Sequence, residues 1–357
     1  MNGEAHMLKI KEKIPVGILG ATGSVGQKFV ELLQDHPWFR ITALAASERS
    51  EGKLYRHAVN WFQKTPLAPR IGIMPVSACL PKLPCRIVFS GLDAEIAGPV
   101  EKSFAKAGYV VISNAKNHRM EEDVPLLIPE VNPEHLVLIE KQGSRGKLIT
   151  NPNCSTIGLA MALKPLQDAF GLEKVSVVTL QALSGAGYPG VSSLDIIDNV
   201  IPYIGGEEEK IQIETLKILG SCKDGKVDFA DIIVSAQCNR VAVIDGHSES
   251  VAVKLKQRCK KEDMIAAWRE FRAEPQKLAL PSAPDMPLMY FDEAAYPQPK
   301  LHRDLGGGMT VSIGRLRDCS VLDYKFTVLS HNTIRGAAGC AILNAELLVK
   351  KGYLDEH

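Results

Sequence analysis

Cys154 stands in the run Asn151-Pro152-Asn153-Cys154-Ser155-Thr156-Ile157-Gly158, where a turn gives way to an apolar helical pattern. A cysteine at a helix start faces unpaired backbone N–H groups and the positive end of the helix dipole, which favour a thiolate and any oxyanion formed beside it. The chemistry this predicts is covalent, with sulfur attacking an electrophilic carbon. A capping turn that merely holds a small apolar residue reads the same way by itself, so the residues that accompany Cys154 decide.

A second chemical signal is the loop Gly20-Ala21-Thr22-Gly23-Ser24-Val25-Gly26, which follows an apolar strand and opens a helix. Its glycine spacing permits a tight turn and lets a pyrophosphate approach the backbone N–H groups, placing Gly20, Thr22, Gly23, Ser24 and Val25 against a dinucleotide. After the next strand the chain reads Ser47-Glu48-Arg49-Ser50, where Arg49, Ser47 and Ser50 favour a ribose 2′-phosphate and Glu48 argues for a 2′-hydroxyl. NADP is therefore expected ahead of NAD. His247, in Asp245-Gly246-His247-Ser248, is read as a loop imidazole able to exchange protons into a cleft, with a solvated loop histidine as the plain alternative. Arg240, a few residues earlier, is placed on a strand over 240–244 whose alternation points it toward the same pocket. Glu207 and Lys210 are three apart on a helix start, ordinarily a solvated position, and Gln181 closes an apolar strand, ordinarily at an edge.

The elements that must position these residues alternate. Strands are expected at 14–19, 41–46, 87–90 and 110–113, with helical stretches between them, which is the pattern of a doubly wound parallel sheet. After Asn151 the texture shifts to strands at 175–183, 240–244, 251–256, 309–317 and 321–329, with a hairpin turn at 317–320, so a mixed or antiparallel sheet follows. The stretch 281–299 is rich in proline and is expected to be irregular. A terminal helix over 336–350 could pack back on the first half. The expected class is thus α/β: a Rossmann-type domain over 1–151 completed by 333–357, and an α+β domain over 152–332 with a mixed, largely antiparallel sheet.

Composition narrows the partners. The 357 residues carry 42 basic and 41 acidic side chains, a balance that offers no field for nucleic acid or a membrane surface. Eight cysteines contain no CxxC pair and no signal peptide precedes them, so reduced thiols in the cytoplasm are expected and no metal site is indicated. No apolar run nears the roughly 18 residues needed to span a bilayer. The first six residues are read as a cloning remnant.

Taken together, GATGSVG, SNAKNHRM at 113–120, NPNCSTIG, QALSGAG, GEEEK, the 240–247 segment and SHNTIRGAAG resemble the aspartate-semialdehyde dehydrogenase family, almost from end to end and nearest its archaeal and fungal branch. The resemblance implies reductive dephosphorylation of L-aspartyl 4-phosphate by NADPH, on the route to threonine, methionine and lysine. It implies Cys154 as nucleophile, His247 as acid and base, and Gln181 as the residue orienting the acyl intermediate. It places Arg240 on the substrate α-carboxylate, Glu207 on its amino group, and Lys210 and Arg119 on phosphate, with Asn114 and Asn153 beside them. Ser184, Gly185 and Asn332 would meet the nicotinamide. A small-molecule substrate, inorganic phosphate and a homodimer or homotetramer are the partners implied. A malonyl-CoA reductase of the same architecture is the nearest alternative; Glu207 favours an aminated substrate.

Overall fold

The computed structural model describes residues 12–354. The first six residues and the last three of the expected 333–357 segment lie outside the described residues. Six helices of ten or more residues occur among the described ones: α1 (Ser24–Leu33), α2 (Ala94–Lys106), α3 (Cys154–Phe170), α4 (Glu207–Ile218), α5 (Lys261–Glu270) and α6 (Gly339–Lys350).

The first sheet contains β1 (Ile14–Leu19), β2 (Phe39–Ala46), β3 (Val76–Ala78), β4 (Ile87–Ser90), β5 (Val110–Ser113) and β6 (Lys147–Thr150). All its pairings are parallel and its order is β3-β2-β1-β4-β5-β6. Such strands are covered on both faces, which is why they read as continuous apolar runs rather than alternating ones. Val16, Ile18, Phe89 and Ile112 pack against Phe29 and Val30 of α1 and Ile342, Leu343 and Leu347 of α6. On the other face Leu19, Val88 and Val111 meet Ala97 and Phe104 of α2. The order reverses between β1 and β4, and the crevice that binds ligands in this architecture opens there.

The second sheet is built from β7 (Leu172–Gln181), β10 (Ile233–Arg240), β11 (His247–Leu255), β12 (Leu288–Phe291), β13 (Val311–Asp318) and β14 (Tyr324–Ser330), in the order β10-β7-β11-β14-β13-β12. Its central pairings are antiparallel and its two outer ones parallel. A small hairpin of β8 (Ser221–Lys223) and β9 (Lys226–Asp228) stands apart. Helix α3 is apolar all round because it is enclosed: Ile157, Met161 and Leu166 share one core with Val175, Val251 and Val253 of the sheet and with Ile211 of α4 and Met264 and Trp268 of α5. The expected pair of sheets, one parallel and one mixed, is what the chain forms.

Several local expectations shift. The strand expected at 240–244 ends at Arg240 instead and runs back to Ile233, as an outer strand whose exposed and buried positions alternate only loosely. Residues 241–246 form a loop closed by Gly246 at φ 101°, a conformation that excludes an L side chain at little cost only for glycine. Strand β11 begins at His247, four residues before its expected start, so His247 is a strand residue and not a loop residue. Gln181 ends an inner strand rather than an edge one. The reversal after β13 falls at 319–323, and the proline-rich stretch includes the short strand β12. The terminal helix is preceded by a π-type turn at Ile334–Ala338.

Candidate active site

At the N-terminus of α3 the side chain of Asn153 accepts hydrogen bonds from the backbone N–H groups of Ser155 (3.0 Å) and Thr156 (3.2 Å), an N-cap that fixes the helix start one residue before Cys154. Asn153 is itself clamped by α4. Its backbone N–H donates to Glu214 (2.7 Å) and its side-chain amide donates to Glu207 (2.8 Å). Glu207 and Glu214 are seven residues apart, two helical turns, and both carboxylates therefore face α3. Glu214 was not singled out in the sequence; that heptad spacing was the signal that could have found it.

Cys154 Sγ lies 3.2 Å from His247 Nε2, and the other ring nitrogen of His247 accepts the backbone N–H of Ala182 at 3.0 Å. Burial pushes the thiol up to about 12; Glu207 adds to the rise, while Arg119 and Arg240 oppose it. His247 is pushed down to about 3, first by burial and then by the charge of Arg240 and by His331. Arg240 is buried and donates to the carbonyl of Ala182 (2.7 Å), beside Gln181 in the β10–β7 register. Gln181 is buried and donates to Thr179 at 3.3 Å. Gly185 covers this pair of groups: a Cβ there would meet Arg240 Nη1 at 2.9 Å and His247 Cε1 at 3.1 Å. On the other side Gly336 of the π-type turn is seated on Cys154, where a Cβ would lie 2.9 Å from that of the cysteine.

Arg119 donates to Glu214 (2.8 Å) and to the carbonyl of Asn114 (2.9 Å), and its Nε has no partner. Lys210 is paired with Glu207 at 3.1 Å, so the helix start read as solvated carries one buried carboxylate, Glu207. Asn114 accepts from Asn151 at 3.0 Å.

A cleft of about 620 Å³ runs from the glycine loop to Cys154, lined by Gly20, Thr22, Gly23, Ser24 and Val25 at one end and by Asn114, Arg119, Asn153 and Cys154 at the other. The loop fits a bound dinucleotide. A Cβ on Gly26 would lie 2.1 Å from the carbonyl oxygen of Gly20, and Gly20 holds φ at 73° with the backbone of Gly91 against it. No side chain caps α1, which leaves its first N–H groups open to a phosphate. Ser47 lines the cleft, Ser50 is buried beneath that turn, and Arg49 is exposed on it, outside the lining. Ser184, Gly185 and Asn332 line the inner stretch, with Asn332 donating to Ser184 (2.8 Å) and accepting from the N–H of Gly246 (2.8 Å). Phe62 and Tyr188, neither anticipated, stack across the cleft mouth with centroids 4.9 Å apart.

Three buried histidines are held neutral: His247 near 3, and His135 and His331 near 4, each below the ordinary 6.5 chiefly because of burial. As pH falls, the unfolded chain takes up protons at these positions before the folded one does. The stability they contribute is complete above the ordinary value and is lost on acidification toward the folded values. Each group costs about 1.4 kcal/mol per pH unit in that window. The apparent melting temperature is expected to fall steadily from pH 6.5 to 4; a flat profile over that window would show that the rings are not neutral.

A signature described as the semialdehyde dehydrogenase NAD binding domain matches residues 15–139, and one described as its dimerisation domain matches 163–335. The fold is that of a semialdehyde dehydrogenase. An aspartate-semialdehyde dehydrogenase of Schizosaccharomyces pombe is 52% identical over 95% of this chain and 99% of the relative, and one of Archaeoglobus fulgidus is 52% identical over 94% and 98%. The crystal structure of the Candida albicans aspartate semialdehyde dehydrogenase with NADP has a TM-score of 0.89 at 47% identity, covering 95% of this chain and 99% of that one. A Vibrio cholerae aspartate semialdehyde dehydrogenase II complexed with ASA gives 0.76 at 30% identity, covering 95% and 99%. The chain belongs to the aspartate-semialdehyde dehydrogenase family. No helix among the described residues is long and apolar enough to cross a membrane.

Proposed function

We propose that this protein is an NADPH-dependent aspartate-semialdehyde dehydrogenase, converting L-aspartyl 4-phosphate to L-aspartate 4-semialdehyde and inorganic phosphate through a thioester on Cys154. The observation that carries the reading is the Cys154–His247 contact of 3.2 Å at the inner end of a cleft whose other end is an open helix N-terminus. Cys154 forms the acyl thioester, and its own backbone N–H, which the Asn153 cap does not use, is placed for the oxygen of that acyl group. Arg240 provides a planar fork for the α-carboxylate, Glu207 an acceptor for the amino group, Arg119 and Lys210 the cations for phosphate, and Gln181, Asn114 and Asn153 complete the walls. The bound dinucleotide supplies the hydride. Gly20, Thr22, Gly23, Ser24 and Val25 hold its pyrophosphate; Ser184, Gly185 and Asn332 border its reacting end; Ser47, Arg49 and Ser50 take the 2′-phosphate.

The two-domain division at 151, with the terminal helix returned to the first domain, supports binding and chemistry on separate sheets. The exposed apolar side chains Leu194, Ile197, Val200, Tyr203 and Ile233 support a homodimer or a dimer of dimers, working in the cytoplasm with reduced thiols.

The test is phosphate-dependent reduction of NADP by aspartate semialdehyde. Turnover without phosphate, or better turnover of malonyl-CoA with NADPH, overturns the assignment. Arg49→Ala is expected to weaken NADPH by about tenfold, as for loss of one charge-assisted contact, and to leave NADH nearly unchanged. Titration calorimetry with both cofactors reads the ratio, and an equal loss removes Arg49 from the site.

A further inference from the structure

Helix α4 turns a stripe of four charged residues toward the anion end of the cleft: Glu207, Lys210, Glu214 and Lys217, whose spacing stacks them along one side of the helix. The first three meet one another or Asn153 and Arg119. Lys217 closes the stripe and is only 2% exposed, a place where a lysine is costly unless its charge is fully used. Its ammonium donates to three backbone carbonyls, those of Arg119 (2.7 Å), Glu121 (2.8 Å) and Val124 (3.0 Å). An ammonium has three hydrogens and no lone pair, so one short segment of chain fills its capacity.

That segment carries Arg119, which lines the cleft. Neighbouring turns of α4 grip Arg119 at both ends, Glu214 holding the guanidinium at 2.8 Å and Lys217 the carbonyl. Glu214 also accepts the backbone N–H of Asn153 at 2.7 Å, so the stripe sets the spacing between Arg119 and the turn that presents Cys154. His118 ties the same segment to α2, its ring nitrogens lying 2.8 Å from Glu121 and 3.2 Å from the carbonyl of Gly98.

We propose that Lys217 is a positioning residue for the acyl-phosphate reaction: by holding the carbonyls of residues 119, 121 and 124 it sets Arg119 against the phosphoryl group. The inference rests on the reading of Arg119 as a phosphate ligand given above. Lys217 does not itself line the cleft and acts through the segment it holds. The clamp is also titratable. Burial lowers Lys217 to about 8, against the opposing charges of Asp123, Glu121 and Glu214. The other ionisable groups facing it are Arg119 on the segment and, from the 3-10 stretch Pro133–Lys141, His135, which burial holds near 4 and therefore neutral here. Above about pH 8 the amine keeps two hydrogens for three carbonyls, and one buried carbonyl is left unpaired.

Steady-state rates in the phosphorylating direction, with NADP and aspartate semialdehyde saturating, give the KM for inorganic phosphate from about pH 7.5 to 9.5, where phosphate stays a dianion. The wild-type value is expected to rise about fivefold over that range, as for loss of one hydrogen bond, while the KM for NADP stays level. In Lys217→Arg, whose guanidinium keeps its charge and donors throughout, the KM for phosphate should not rise. In Lys217→Met it should stand about tenfold higher already at the acid end and climb no further. A level wild-type profile, or a rise that persists unchanged in Lys217→Arg, overturns the proposal. So does a Lys217→Met enzyme whose KM for NADP climbs in step with that for phosphate, the mark of a general loss of structure. Carbon-13 NMR of the lysine Cε groups tests the clamp without any rate: one lysine should titrate with its midpoint at about 8 and be missing from the Lys217 variants. A Lys217 that holds its proton to about pH 10 sinks the idea. Absence of phosphate-dependent turnover in the wild type strikes the functional reading, whereas a phosphate response that the Lys217 variants leave untouched strikes this inference alone.

Discussion

Cys154→Ala is expected to reduce turnover by at least about 10⁴-fold, as for loss of a covalent nucleophile, while leaving the fold and NADPH affinity close to wild type. The substitution removes one sulfur atom. It leaves the Asn153 cap, both carboxylate contacts to Asn153 and the glycine loop in place, because none of these uses the thiol. Fluorescence titration with NADPH and a thermal melt measure the two retained properties, and a rate assay measures the lost one. Activity well above that floor would show that the acyl group is never carried on sulfur. Cys154→Ser should keep only a trace, an alcohol being a far weaker nucleophile at neutral pH.

Arg335→Leu is expected to destabilise the protein by about 3–5 kcal/mol, the range for stranding one member of a buried ion pair. Arg335 and Glu130 are both fully buried and in contact at 2.6 Å, while the guanidinium Nε and Nη1 find no other partner. Glu130 would be left as an uncompensated charge in the interior. The double variant Glu130→Leu with Arg335→Leu should recover most of the loss, since removing both charges also removes their desolvation cost. Arg335 belongs to the turn that seats Gly336 on Cys154, so the single variant should lose kcat as well as melting temperature. If the double variant is no better than the single one, packing rather than charge explains the effect.

What the chain disclosed before folding followed the range over which its signals act. The glycine loop and the Cys154 turn are local devices, complete within seven or eight residues, and they occupy the places their spacing implied. His247 was misplaced in a loop because Asp245-Gly246 is a strong turn signal that ends immediately before it, and the strand that claims His247 is defined by pairing with Ser330 and Leu180 far away in sequence. The 233–240 strand was hidden for a related reason: an outer strand with mixed exposure lacks a clean period. Glu214 shares a helix face with Glu207 by its seven-residue spacing, but the weight of that spacing comes from touching Asn153 and Arg119, contacts that exist only once α4 crosses the start of α3.

Helix α6 carries a consequence for the order of synthesis. Its Ile342, Leu343 and Leu347 fill the same core as Val16, Phe29 and Ile112, so the first-made sheet is completed by some of the last-made residues. While the chain is still emerging from the ribosome, that face of β1, β4 and β5 is covered only in part, by α1, and the place of α6 stays open beside apolar strands. The nascent protein therefore depends on chaperones, or on speed, until translation has nearly finished. A message truncated just before α6 is expected to yield a fragment with an open apolar face, prone to aggregate instead of standing alone as a dinucleotide-binding module.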